Sequence, residues 1–302
     1  MIARHFWIVA ILLAASPAWA ETLGGPWVEL GADGRLSVRV VVPSGVAACP
    51  RVVADGTPVE PRQRGAADGD FAVTVCVADV PAATGALTID DKPLPTLPAG
   101  IKRIAIFGDT GCRIAGKALQ NCNDPNQWPF PVIAKQAAAR KPDLVIHVGD
   151  YLYREGACPA GRAGCAGSPF GDNWPTWKAD FFDPAAPLFA AAPWVVVRGN
   201  HEVCRRAGPG WFRLLDPHPA RPDCADRTDP YRLSIGGLEL LLFDGADADD
   251  FVARPDKVAA YSQELASLLA KAPPHSWLLT HRPVWAMAQA DLAGLTTNQT
   301  EQ

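Results

Sequence analysis

The stretch WVVVRGNHE, residues 194–202, joins an apolar run to an abrupt polar end. A run of Val predicts a strand that is buried on both faces, as in a parallel sheet. The strand ends in Gly199, Asn200, His201 and Glu202, although a turn without metal-binding or catalytic side chains would serve the fold equally well. The polar end is therefore either a turn or a set of side chains that the strand delivers to a reaction.

Residues 101–283 contain more such strands, separated by helical or loop segments. The predicted strands are IKRIAIFGD (101–109), PDLVIHVGD (142–150), YRLSIGG (231–237), LELLLFDG (238–245) and HSWLLTHRP (275–283). Helices are predicted in PVIAKQAAARK (131–141) and DKVAAYSQELASLLAKA (256–272), each ending just before a Pro. Strands spaced by helices predict an α/β fold with a largely parallel sheet.

Four of the predicted strands end in a residue that can bind metal. These residues are Asp109, Asp150, Asn200 with His201, and His281. Each alone is more typical of a turn or of a buried, satisfied His. In open α/β sheets, however, ligands bind beyond the carboxyl ends of the strands, so four such ends predict one shared site.

The order of these strand ends resembles the calcineurin-like metallophosphoesterase superfamily, and within it the purple acid phosphatase-like branch. The matching motifs are Gly108-Asp109-Thr110-Gly111, Gly149-Asp150-Tyr151-Leu152-Tyr153, Gly199-Asn200-His201-Glu202, and His281 after Leu278-Leu279-Thr280. Tyr153 is the element most specific to the branch. The resemblance implies a four-layer αββα sandwich, which we expect to follow a small all-β sandwich-like domain.

The resemblance also implies a binuclear metal centre. Asp109 and Tyr153 would bind one metal, Asn200 and His281 a second, and Asp150 would bridge both. A phenolate suits Fe(III), whereas the neutral Asn and His suit a divalent ion such as Zn, Fe or Mn. The implied reaction is attack of a metal-bound hydroxide on a small phosphorylated substrate, as in an acid phosphatase that acts on phosphate monoesters.

The two remaining residues of the third motif are predicted to be catalytic. His201 would contact the phosphate or protonate the leaving group. Glu202 would either orient the imidazole of His201 or merely cap the loop, and the sequence favours neither.

One expected motif is missing. No Gly-His-x-His follows His281, although in the family it gives one His to each metal. We expect a fragment rather than a natural variant. The alternatives are a phosphodiesterase of the same superfamily and a non-catalytic relic that binds metal or phosphate.

The N-terminal residues predict export. Arg4 and His5 precede an apolar stretch, and Ala18-Trp19-Ala20 fits a signal-peptidase site, so residues 1–20 are expected to be a signal peptide. The protein would be periplasmic or secreted. A formal net charge of −4 argues against nucleic acid as a partner, and no long apolar segment follows that would hold the cleaved chain in a membrane.

Residues 21–98 read as a β-rich domain, because Val-rich strands such as RLSVRVVVP (35–43) and FAVTVCVADV (71–80) alternate with turns. A Pro-rich stretch at 92–100 then marks a boundary, which leaves 99–302 as the catalytic domain. The eight Cys of an exported chain predict disulfides, for which many connectivities are possible. Pairing between sequence neighbours is our prediction: Cys49 with Cys76, Cys112 with Cys122, Cys158 with Cys165, and Cys204 with Cys224.

Overall fold

The computed structural model describes residues 21–65, 67–249, 252 and 254–283, together with the backbone of two short strands at 288–290 and 294–296. The predicted signal peptide lies outside the described residues. Strands are numbered in chain order: β1 Gly24–Leu30, β2 Leu36–Pro43, β3 Val52–Ala54, β4 Thr57–Val59, β5 Arg62–Gln63, β6 Val73–Val80, β7 Leu87–Ile89, β8 Lys92–Pro93, β9 Ile104–Phe107, β10 Ile114–Ala115, β11 Ala118–Leu119, β12 Leu144–His147, β13 Trp194–Val196, β14 Tyr231–Ile235, β15 Leu238–Leu242, β16 Trp277–Leu279, β17 Ala288–Ala290 and β18 Gly294–Thr296. The helices are α1 Phe130–Ala139, α2 Trp174–Trp177, α3 Asp183–Phe189, α4 Gly208–Leu214 and α5 Pro255–Leu269.

A seven-stranded sheet in the order β5-β6-β2-β1-β13-β12-β9 forms the centre of the fold. Strands β13, β12 and β9 are parallel to one another, as predicted. Strand β1 joins them in parallel, with Glu29 opposite Trp194, and β2, β6 and β5 continue antiparallel. The sheet therefore runs across the boundary that composition predicts near residue 98.

The inner strands of the central sheet are buried on both faces, whereas the edge strands β5 and β9 are partly exposed. Along β13, Trp194 and Val196 face a cluster built with the helices α1 to α4, whereas Val195 and Val197 face a cluster built with other sheets. Those sheets are β14-β15-β16 and β4-β3-β7-β8. Helix α5 packs on the outer side of β15 through Tyr261 and Leu268. The layers follow the order helix, sheet, sheet, helix, which confirms the predicted four-layer α/β class.

The two predicted helices are confirmed as α1 and α5. Helix α1 ends at Ala139, two residues before Lys141, which takes a positive φ of 52° ahead of Pro142. The sequence did not reveal a short helical run in which α2, a π-helical turn at Lys178–Phe182 and α3 follow one another. Within the described residues, no helix combines the length and apolar character needed to span a bilayer.

All four predicted disulfides are present: Cys49–Cys76, Cys112–Cys122, Cys158–Cys165 and Cys204–Cys224. The last three close loops that follow the ends of β9, β12 and β13. The disulfides therefore fasten the segments that surround the strand ends.

Candidate metal centre

The four motif-bearing strand ends meet at one edge of the sandwich. Asp109, Asp150 and Asn200 follow β9, β12 and β13, and His281 follows β16 of the neighbouring sheet. The chains approach so closely that a β-carbon on Gly199 would lie 2.2 Å from the backbone nitrogen of Asp150. Glycine at this position is therefore required for the strand ends to converge.

The first group of donors surrounds the hydroxyl of Tyr153. This hydroxyl lies 2.6 Å from Oδ1 of Asp109 and 2.8 Å from Oδ2 of Asp150. Burial, and then the charge of Asp150, raises the pKa of Tyr153 well above its ordinary value. Three oxygens meet at one point, where a cation would replace the hydroxyl proton.

The second group of donors surrounds Nε2 of His281. This nitrogen lies 3.0 Å from Oδ1 of Asn200 and 3.4 Å from Oδ1 of Asp150. On the other side of the ring, Nδ1 lies 2.9 Å from the carbonyl of Val148, which fixes the imidazole orientation. Burial lowers the pKa of His281, but the hydrogen bond and charge of Asp150, together with the charges of Glu202 and Asp109, outweigh burial and raise the pKa to about 9.

Asp150 is the residue that both groups share. Its Oδ2 faces Tyr153 while its Oδ1 faces His281, and Oδ1 also accepts a hydrogen bond from the backbone N–H of His201 at 2.8 Å. Burial raises the pKa of Asp150, but its hydrogen bond and attraction to His281 outweigh this, and the net shift is downward. A carboxylate with one oxygen toward each group has the geometry of a bridging ligand.

The five predicted ligands thus lie together, and their donor atoms suit two cations. Each group has three donors, fewer than the four that zinc usually takes. Among the described residues, no three His, Cys, Asp or Glu side chains form a metal-binding group, so each candidate site depends on an oxygen of Tyr153 or Asn200.

His201 lies beside both groups and is almost fully buried, with 4% of its side chain exposed. Its Nε2 lies 3.7 Å from Oδ2 of Asp150, and its ring packs on that of Tyr153 with 3.7 Å between centroids. Its Nδ1 lies 3.1 Å from the carbonyl of Leu152. The imidazole is therefore held from behind with Nε2 toward the prospective metals.

Glu202 does not orient His201. Its two oxygens accept hydrogen bonds from four backbone amides, those of Asp150 (3.0 Å), Tyr151 (2.9 Å), Leu152 (3.2 Å) and Gly199 (3.1 Å). Burial, followed by the charge of Asp150, raises the pKa of Glu202 to about 8. The turn at Asn200–Glu202 directs this side chain back under the strand ends, so Glu202 ties two loops together and is not in position to act on substrate.

The carboxylate beside His201 is Glu155, which the sequence reasoning missed. Its Oε1 lies 3.2 Å from Nδ1 of His201 and 2.5 Å from Nε of Arg206. Burial raises the pKa of Glu155, but hydrogen bonds from His201 and Arg206 outweigh it and lower the pKa to about 2. A signal was available, since Glu155 follows the second motif by only two residues.

Asp180 is a second missed residue and has a role like that of Glu202. It is fully buried in the π-helical turn and accepts hydrogen bonds from the backbone amides of Cys112 and Tyr153, both at 2.7 Å. Nε of Arg154 donates to it at 2.9 Å. Asp180 thereby joins the loop that carries Asp109 to the loop that carries Tyr153. The one sequence feature that could have indicated this role is the position of an acidic residue within the aromatic segment WKADFF (177–182).

His147 belongs to the core and is no ligand. It is fully buried, accepts a hydrogen bond from the backbone N–H of Gly149 at 3.2 Å, and lies 2.9 Å from the hydroxyl of Thr110. Burial, reinforced by His281, lowers its pKa to about 3. A neutral ring here links the loops after β9 and β12.

Comparison with known proteins places these features in a family. The model of the calcineurin-like phosphoesterase family matches residues 102–298. Among solved structures, PhoD is similar with a TM-score of 0.55 and 16% identity, over 95% of this chain and 67% of the PhoD chain. Purple acid phosphatase PPD1 from seeds of yellow lupin (Lupinus luteus) is similar with a TM-score of 0.52 and 14% identity, over 86% of this chain and 51% of that one.

At such low identity the two structures show a shared fold and no more. The chain spans about half the length of the lupin phosphatase. No curated protein matches the chain. The family model, in contrast, covers well over half of the chain and includes all four motif-bearing strand ends. The chain therefore belongs to the calcineurin-like phosphoesterase family.

Proposed function

We propose that this chain is a binuclear metal-dependent acid phosphatase of the purple acid phosphatase-like branch, acting on phosphate monoesters. The observation that carries the proposal is the position of Asp150, whose two oxygens face two separate donor groups. A carboxylate placed in this way can hold two cations side by side, which is the arrangement that clamps a phosphoryl group during displacement.

Each candidate ligand has a role that follows from its chemistry. Asp109 and Tyr153 supply hard oxygens that suit Fe(III), whereas Asn200 and His281 suit a divalent ion such as Zn, Fe or Mn. When bound, the two ions would polarise the phosphoryl group and lower the pKa of water. Glu202 and Asp180 hold the ligand-bearing loops in register through their hydrogen bonds to backbone amides.

His201 is proposed to act on the substrate. Its Nε2 is directed toward the two donor groups while Nδ1 is held by Leu152 and Glu155. From this position it can donate a hydrogen bond to a phosphoryl oxygen or a proton to the leaving group. Glu155 holds the ring in this orientation through the 3.2 Å contact between its Oε1 and Nδ1.

Export is part of the proposal. Four disulfides fasten the loops of the structure, and such bonds persist in oxidising compartments. We therefore place the protein in the periplasm or outside the cell. Its substrate is a small phosphorylated molecule.

The test is the variant Asp150→Asn of the full chain, assayed with p-nitrophenyl phosphate. Loss of the bridging charge is expected to reduce kcat/KM at least about 10³-fold and to lower the metal content measured by elemental analysis. The control is Asp33→Asn, an exposed residue far from the site along the chain. Undiminished activity in Asp150→Asn would overturn the binuclear proposal, and an active protein free of iron would remove the iron assignment.

Two alternatives have observable signatures. A phosphodiesterase would hydrolyse bis(p-nitrophenyl) phosphate faster than the monoester. A non-catalytic relic is favoured by the count of only three donors in each group of described residues. Such a protein would bind metal or phosphate and hydrolyse neither ester.

A further inference from the structure

We propose that Arg113 binds the phosphoryl group of the substrate and makes the site prefer esters whose phosphoryl group carries two negative charges. This inference rests on the proposed phosphoesterase function and concerns its choice between monoesters and diesters. It assigns a role to a residue outside the metal ligands and the strand-end motifs.

The backbone of Arg113 is held rigidly at the base of the hairpin β10–β11. Its N–H donates to Oε1 of Gln120 at 2.8 Å, and its carbonyl accepts from the N–H of Gln120 at 2.8 Å. Its chain neighbours Cys112 and Ile114 are buried, and Cys112 is joined by a disulfide to Cys122. Arg113 itself is exposed, so a fixed backbone presents a cationic side chain at the surface.

The guanidinium of Arg113 lies at the candidate site. Its Nη1 is 3.5 Å from Nε2 of His201, the nitrogen directed toward the prospective metals. Its central carbon lies 5.5 Å from the centroid of the Tyr153 ring. Arg113 therefore borders the space that a substrate held between His201 and the metals would fill.

A comparison with Arg206 shows what is unusual about Arg113. Both guanidiniums contact His201, but Arg206 is paired with Glu155 at 2.5 Å. No Asp or Glu among the residues the structure describes forms an ion pair with Arg113. The charge of Arg206 is thus largely neutralised within the protein, whereas that of Arg113 is not.

An unpaired cation next to a site for two metal ions is repelled by them unless an anion lies between. A phosphoryl group supplies that anion, and guanidinium binds two phosphoryl oxygens at once through parallel N–H groups. A monoester phosphoryl group carries up to two charges, but a diester carries only one. The guanidinium should therefore contribute more to the binding of monoesters.

The experiment compares Arg113→Met and Arg113→Lys with wild type and with Arg205→Met, all in the full chain. Arg205 is an exposed arginine for which no hydrogen bond or ion pair to a site residue is seen among the described residues, so it controls for loss of surface charge. The readouts are kcat/KM for p-nitrophenyl phosphate and for bis(p-nitrophenyl) phosphate, the inhibition constant of inorganic phosphate, and the metal content.

In Arg113→Met we expect kcat/KM for the monoester to fall about 10- to 100-fold, the range of a lost hydrogen bond to a charged group. The diester should lose less than about 3-fold, inhibition by phosphate should weaken, and metal content should stay unchanged. Arg113→Lys should recover part of the loss, because lysine keeps the positive charge but lacks the parallel N–H groups of a guanidinium. Arg205→Met should resemble wild type.

Equal losses for both esters, or a monoester loss no larger than in Arg205→Met, would overturn the inference. Failure of the proposed function is a separate result, in which the wild type hydrolyses neither ester. In that case, calorimetric titration of wild type and Arg113→Met with inorganic phosphate decides the role of Arg113: weaker binding by the variant supports it, and equal binding refutes it.

Discussion

The central sheet holds a cluster of charges in each half, and the two clusters differ in how the charges are compensated. In the antiparallel half, Glu29 pairs with Arg39 at 2.8 Å and Asp216 with Arg64 at 3.6 Å, all almost completely buried. At the parallel half, no described Lys or Arg forms an ion pair with Asp109 or Asp150. Among the described residues, the ion-pair partners of Asp150 are His201 and His281 alone.

This difference separates a structural from a functional use of charge. Arg39 and Arg64 also donate to backbone carbonyls of residues 212–218, which fastens the antiparallel half of the sheet to the end of α4 and the loop that follows it. At the strand ends of the parallel half, two carboxylates instead compete for one hydroxyl proton of Tyr153. In the first arrangement each acid has an arginine of the protein beside it, whereas the second would, under the proposed function, be completed by a cation from outside.

The largest effect on stability is expected from Arg39→Met. The change leaves the buried Glu29 without its nearest cation and removes hydrogen bonds to the carbonyls of Leu214 and Asp216. Breaking one partner of a buried pair should lower the free energy of unfolding by about 3 to 5 kcal/mol at pH 8. Urea unfolding measures this.

The control for Arg39→Met is Arg35→Met, since Arg35 is exposed on the same strand region and should change stability by less than about 0.5 kcal/mol. Similar losses in the two variants would contradict the structural role of the buried pair.

A smaller effect is expected from Glu29→Gln, and it should depend on pH. Burial outweighs the attraction of Arg39 and raises the pKa of Glu29 to about 7, above its unfolded value near 4.5. A raised folded pKa gives stability that is present below pH 4.5 and is lost as the pH rises through 7. Between pH 5 and 8 the wild type should therefore lose about 1 to 3 kcal/mol relative to Glu29→Gln.

Unfolding free energies of both proteins at several pH values test this trend. A difference that is constant, or that moves in favour of wild type as the pH rises, would show that Arg39 keeps Glu29 ionised. The charge of Glu29 would then be fully compensated by Arg39 inside the protein.

The same contrast explains what the sequence could predict. Asp109, Asp150, Asn200 and His281 each follow a strand, and strand ends converge by a rule of the fold, so their meeting was predictable. The direction of a side chain within a turn follows no such rule. Glu202 stands next to His201 in sequence yet points away from its imidazole, whereas Glu155 comes from another loop and reaches it.

Residues 21–98 show the same limit at the level of strands. Their Val-rich pattern identified β2 and β6, but alternation within a strand does not state which strand lies beside it. The parallel pairing of β1 with β13, which joins these strands to the central sheet, depends on contacts more than 160 residues apart. Asp180 was equally hidden, because two of its partners are backbone amides, which leave no mark in the sequence, and the third, Arg154, comes from another loop.

The smallest effect on stability is expected at the strand ends of the parallel half. It is a gain in stability, whereas most substitutions destabilise a protein. Asp109→Asn removes one of two carboxylates that share the hydroxyl of Tyr153, and Asn tolerates the positive φ of 55° found at this position. In the presence of a chelator, the variant should be more stable than wild type by about 0.5 to 1.5 kcal/mol, because repulsion between carboxylates is relieved. Added metal should reverse the order, since Asp109 is then lost as a ligand. Thermal unfolding with and without metal measures both signs. If chelated Asp109→Asn were less stable than wild type, the carboxylates would be compensated within the protein, and the distinction between the two halves of the sheet would fail.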